Sequence, residues 1–96
     1  MTSKQRAYLR GLANNIDAIF QIGKNGINDN LIKQLNDALE ARELIKVTVL
    51  ETAPDSAKDL SFEIAEKTNS IVIQVIGNKI TFFRQRKKDS KINLPS

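Results

Sequence analysis

Ala18-Ile19-Phe20-Gln21-Ile22-Gly23-Lys24-Asn25-Gly26 reads as a short apolar strand over 18–22 running into a glycine-framed loop, and a helical pattern begins near Asn28. A loop of this kind lets backbone N–H groups approach an anion closely. The free N–H groups and positive dipole end of the following helix favour the same ligand. Lys24 sets a mobile cation at the loop tip. Gly23, Lys24, Asn25 and Gly26 are therefore candidates to hold a phosphate. The loop could equally be a plain turn, since glycines often supply positive φ where a strand gives way to a helix. A Walker A loop is excluded, because only two residues separate the glycines and Ile27 follows instead of Lys-Ser/Thr.

Upstream, Thr2-Ser3-Lys4-Gln5 fits a capping box, and Leu9, Leu12, Ala13 and Ile16 recur at helical spacing. Gly11 weakens this helix by about 1 kcal/mol relative to alanine, so docking must help to hold it. Downstream, Asn28 is a good N-cap with Ile27 and Ile32 placed as a staple. Leu31, Ile32, Leu35, Ala38 and Leu39 give a helix ending near Arg42. Leu44–Leu50 alternates through its middle, with Ile45, Val47 and Val49 on one side and Lys46 and Thr48 on the other. Ala53-Pro54-Asp55-Ser56 starts a third helix running to about Lys67. Ile71–Ile76 is β-branched and apolar enough for a central strand. Gly77-Asn78-Lys79 turns into a last strand over 80–84. The order is α-β-α-β-α-β-β. It predicts an α/β two-layer sandwich on a four-stranded mixed sheet, with the other sheet face at least partly open. Residues 1–86 form the single domain and 87–96 a basic, flexible tail.

The 96 residues, 41% of them hydrophobic, suffice for one core. Without cysteine or histidine, disulfides, thiolate metal sites and the commonest catalytic base are excluded. No cofactor or metal site is expected, and the enzyme class lacks an identifiable base or nucleophile. No apolar run approaches a membrane span or a signal-peptide core, so a cytoplasmic location is expected.

The net charge of +4 is unevenly placed. Residues 1–24 hold Lys4, Arg6, Arg10 and Lys24 against Asp17. Residues 79–96 hold Lys79, Arg84, Arg86, Lys87, Lys88 and Lys91 against Asp89. The stretch between has five basic and nine acidic residues. Such segregation makes a local positive field that attracts polyanions. Arg6 and Arg10 lie one turn apart, either as solvated helix charges or as part of one surface with Lys24 if the first helix packs beside the loop. Lys46 interrupts an apolar strand, and its stem could simply snorkel to water. Arg42 suits the negative end of its helix with or without a polyanion. Arg84, Arg86, Lys87 and Lys88 form a solubility tail or a phosphate-binding arm, the arm being favoured. Asp55, Asp59, Glu63 and Glu66 form a solvated face that points away from any polyanion.

Four stretches together resemble the CRM domain, in its free-standing bacterial form called YhbY. They are Gln5–Arg10, Gln21–Gly26, Arg42–Val47, and Gln74–Lys79 followed by Arg84. The resemblance covers nearly all of residues 3–86. Two departures stand out: Ile16-Asp17-Ala18-Ile19 lacks the family's frequent proline, and Phe83 replaces a tyrosine before Arg84, leaving a ring for base stacking without its hydroxyl. The resemblance implies a fold like the C-terminal domain of translation initiation factor three. It also implies a non-catalytic RNA-binding protein acting on precursors of the large ribosomal subunit, with the loop clamping RNA backbone as a KH-domain GXXG loop does. A monomer is expected. The competing reading is a protein-interaction module docking on ribosomal or other ribonucleoprotein components, with incidental RNA contact.

Overall fold

Three polar N-caps start the three helices. Thr2 and Gln5 complete a reciprocal capping box, Asn28 Oδ1 accepts from the Leu31 N–H at 2.8 Å, and Ser56 Oγ accepts from the Asp59 N–H at 3.2 Å. The computed structural model describes residues 1–96. Its order is α1 (Ser3–Ala13), β1 (Phe20–Ile22), α2 (Asp29–Arg42), β2 (Leu44–Val49), α3 (Ala57–Thr68), β3 (Ile71–Ile76) and β4 (Lys79–Phe83). The α-β-α-β-α-β-β order and the mixed four-stranded sheet are thus as expected.

The sheet order is β1-β2-β4-β3, with β1 parallel to β2 and β4 antiparallel to both its neighbours. This corrects one expectation: Ile71–Ile76 is an edge strand. The crossover through α3 skips one strand position, and β4 returns through a two-residue turn to fill the gap. Gly77 supplies the positive φ (58°) which that turn needs.

α2 and α3 share one sheet face. Leu35 and Leu39 of α2 and Leu60 and Ile64 of α3 pack on Ile45 and Val47 of β2 and Phe82 of β4. The alternation of β2 sends Leu44, Lys46 and Thr48 to the opposite face. There α1 lays Leu9 and Ala13 over Leu44, Ile73 and Phe83, with Ile92 and Leu94 packed at the margin. This docking holds the Gly11-weakened helix. The second face is therefore half covered and half open. Phe83 is buried beneath α1, so the expected base stacking on its ring is unavailable in this fold.

Cross-strand register ranks the residues of that second face in rows, because directly paired residues share a face. Leu44, Phe83 and Ile71 form the row under α1. Lys46, Thr81 and Gln74 form the next. Gln21, Thr48, Lys79 and Ile76 form the last, farthest from α1 and nearest the loop after β1.

Candidate nucleic-acid interface

The Gly23–Gly26 segment is a tight turn closed by the Gly26 N–H donating to the Gly23 carbonyl at 2.9 Å. Lys24 and Asn25 occupy the exposed tip, and neither of their N–H groups has a partner in the protein. The turn, Gln21 and the first turns of α2 (Asn28, Asn30, Leu31, Gln34) line a polar hollow of about 390 Å³. The orphan N–H groups of the α2 N-terminus open beside the unpaired turn amides, and Lys24 lines the same hollow. That assembly suits an oxyanion.

The two glycines serve different purposes. Gly26 is buried at φ +60°, and a Cβ there would meet Pro54 Cγ at 2.9 Å. Gly23 has no such constraint: a Cβ would sit at ordinary contact, 3.6 Å from Thr52 Oγ1 and 3.7 Å from Leu50 Cδ1. Gly26 is demanded by the fold, whereas Gly23 is compatible with alanine.

The expected cations separate into two groups. Arg6 does not join Lys24. Its Nη1 donates to the carbonyls of Val72 (2.8 Å) and Ile73 (3.2 Å), where β3 has its bulge, at the edge opposite β1. Arg84 turns inward. Its guanidinium donates to Asn36 Oδ1 (2.7 Å), Thr68 O (2.7 Å) and Asn36 O (3.1 Å), with Glu40 at 3.6 Å, tying α2 to the end of α3. Both side chains are occupied in holding the fold.

Arg10 is exposed. At 100° per residue, with Leu9 and Ala13 directed into the sheet, Gln5 and Leu12 fall on the flank that meets Pro95 and Ile92. Arg10 falls on the flank toward the open rows. Lys46 stands in the middle row. Lys79 stands in the last row, with Nζ donating to Thr48 Oγ1 at 3.3 Å. Lys79 was absent from the residues singled out by sequence. Its signal was its register opposite Thr48, which only the pairing reveals.

The segment expected to be a flexible basic tail folds back on the body in this structure. Ile92 and Leu94 pack at the edge of the α1 core, and the Gln5 amide donates to Pro95 O at 3.1 Å. Arg86 Nη1 donates to Glu40 O at 3.2 Å and Nη2 to Asp89 O. Lys87, Lys88 and Lys91 remain exposed. The organiser is Glu43, also missed by sequence reasoning. Its buried carboxylate accepts from the N–H groups of Arg86 (2.7 Å), Lys91 (2.6 Å) and Ile92 (2.9 Å) and from Ser90 Oγ (2.7 Å). Burial pushes this carboxyl up, but the four donors together outweigh it and hold the group below its ordinary 4.5.

No group of three or more acidic side chains is placed to hold a metal ion, and no helix is long and apolar enough to cross a membrane. Asp55, Asp59, Glu63 and Glu66 are exposed, the last three on α3, whose helix packs on the face opposite α1.

A small α/β domain with a polar hollow beside a helix N-terminus and a cation-bearing half-open sheet face is the class these features define. The chain belongs to the CRS1/YhbY (CRM) domain family, whose model matches residues 1–84. It is 43% identical over 95 residues to the "Probable RNA-binding protein YqeI" of Bacillus subtilis, covering 99% of each chain. It is also 31% identical over 88 residues to the "Probable RNA-binding protein MJ0652" of Methanocaldococcus jannaschii, covering 90% of this chain and 65% of that one. Among solved structures, SAV1595 of Staphylococcus aureus superposes with a TM-score of 0.82 at 54% identity, over 99% of both chains.

Proposed function

We propose that this chain is a non-catalytic RNA-binding protein that grips RNA backbone, acting as an assembly factor on ribosomal RNA in precursors of the large subunit. The observation that carries the RNA contact is the Gly23–Gly26 turn, whose unpaired Lys24 and Asn25 N–H groups open with the α2 N-terminus into one polar hollow that Lys24 also lines. The names of the relatives support RNA as the ligand. The ribosomal target rests on the family resemblance. The proposed contact set is Gly23, Lys24, Asn25 and Gly26 with Arg10, Lys46 and Lys79, joined by Lys87 and Lys88. Arg6, Arg84 and Arg86 support it through the fold.

Backbone contacts position without reading sequence, so the preference among RNA sequences should be modest. About four to six phosphate contacts to a single-stranded site give a log–log salt slope of roughly −3 to −4. The test is RNA affinity of the wild type and Lys24→Ala between low and moderate salt, with crosslinking and sequencing of attached RNA in cells to name the target. An affinity insensitive to salt, or to Lys24→Ala, rejects the clamp. A cytoplasmic monomer is part of the same proposal.

One observation favours the protein-docking alternative: Ile76, in the row beside Lys79, is 62% exposed. Partners that persist in a pull-down after RNase treatment would support that reading instead.

A further inference from the structure

Glu43 sits where almost every physical preference is against it. It follows the last residue of α2 at φ +66° and ψ −40°, positive-φ backbone outside the αL basin that a non-glycine residue rarely adopts. Its negative charge lies at the negative end of the helix dipole. It is also buried. An outlier of this kind persists only where the surroundings over-determine it, and such positions cluster at functional sites. What the carboxylate gains is the four donors from residues 86–92, a segment that holds Arg86, Lys87, Lys88 and Lys91.

The placement of that segment adds a second feature. Glu43 immediately precedes β2, whereas the Gly23–Gly26 turn lies past the other end, since Ile22 pairs with Val49, the last residue of β2. Six residues of strand separate the two points, roughly 20 Å at about 3.3 Å per residue. Lys87, Lys88 and Lys91 thus form a second cation group, at the far end of the sheet from Lys24.

We infer that Glu43 is a positioning residue: it fixes the C-terminal basic segment as a second backbone grip, so that the protein binds an RNA long enough to span both ends of the sheet. The inference rests on the RNA-binding reading above. An anion thereby strengthens the binding of a polyanion, because cations already ordered on the body need no ordering when RNA arrives.

The experiment measures binding of a fluorescein-labelled RNA hairpin with single-stranded flanks across a salt series. The proteins are the wild type, Glu43→Gln, Glu43→Gly, a Lys87→Ala/Lys88→Ala/Lys91→Ala triple variant, and each Glu43 variant in the triple background. Glu43→Gly relaxes the positive-φ position, so it keeps the fold accessible should Glu43→Gln fail to fold. Amide exchange at Lys91 and Ile92 reports release of the segment directly. The expected result is a loss of about three- to tenfold in affinity and a salt slope shallower by about 1 to 2 for the Glu43 variants. In the triple background the Glu43 changes should add nothing. Unchanged or higher affinity with the segment released overturns the inference. So does an equal loss in both backgrounds, which would mean that Glu43 acts only through general stability. Loss of affinity in Lys24→Ala with none in the Glu43 or triple variants rejects this second grip, removes Lys87 and Lys88 from the contact set and leaves the loop clamp standing. A wild type that binds no RNA rejects the underlying function.

Discussion

Gly26 and Gly23 look equivalent in the GxxG pattern, and the structure separates them. Gly26→Ala places a side chain in a left-handed conformation at a cost of about 1–2 kcal/mol and drives its Cβ into the Pro54 ring. A clear fall in melting temperature is expected, so this variant cannot report on RNA contact cleanly. Gly23→Ala meets only ordinary contacts, and its melting temperature should stay near the wild type while RNA affinity falls. If Gly23→Ala binds as tightly as the wild type, close backbone approach at that residue is not part of recognition. Arg84 gives the converse case. Arg84→Ala leaves the Thr68 and Asn36 carbonyls without their charged donor and should cost about 1–3 kcal/mol in denaturant unfolding. The salt slope of RNA binding should not change, because this guanidinium is turned inward. A slope shallower by a full unit would return Arg84 to the contact set.

At the scale of elements, two junctions depend on single side chains. The edge strand β3 has no charged residue of its own, and its bulge carbonyls are covered by Arg6 from α1. Arg6→Ala should destabilise by about 1–3 kcal/mol through the lost charged hydrogen bonds. It should also increase self-association by opening that edge, as read by sedimentation. The second junction joins α2, β2 and the C-terminal segment at Glu43. Its carboxyl titrates below 4.5 in the fold, so the unfolded chain takes up the proton first as pH falls. The contribution to stability is complete above pH 4.5 and is lost as pH falls through the lower folded value. The amides of Lys91 and Ile92 should lose exchange protection over that range, and Glu43→Gln should remove this pH dependence. The same pH dependence of Lys91 and Ile92 protection in the wild type and in Glu43→Gln would show that the carboxylate does not hold the segment.

Over the whole molecule, Arg10, Lys46 and Lys79 follow the open half of one face, and Lys24 and Lys87, Lys88 and Lys91 its two ends. Lys33, Lys58 and Lys67 share the α2–α3 side with Asp59, Glu63 and Glu66. Much of this was legible in the sequence. Caps at Thr2 and Asn28, the helix start at Ala53–Ser56, helical repeats of leucine and the alternation of Ile45, Val47 and Val49 are local signals, and they specify elements because capping and periodicity act over a few residues. The polar turn at Gly23–Gly26 was legible for the same reason. Strand order was not: Ile71–Ile76 reads as central because composition reports apolarity, whereas edge position follows from where β4 inserts. The roles of the arginines were also hidden. Arg6, Arg84 and Arg86 look like Arg10 in sequence, and only the carbonyls brought near them from distant segments decide which are bound inward. Glu43 was hidden most completely, since its four donors lie 43 to 49 residues away along the chain. The sequence by itself determined the elements, their order and the polar glycine-framed turn, all set by short-range backbone chemistry. Tertiary structure alone decided which cations stay free and where the basic segment lies, because both depend on hydrogen-bond partners that only folding brings together.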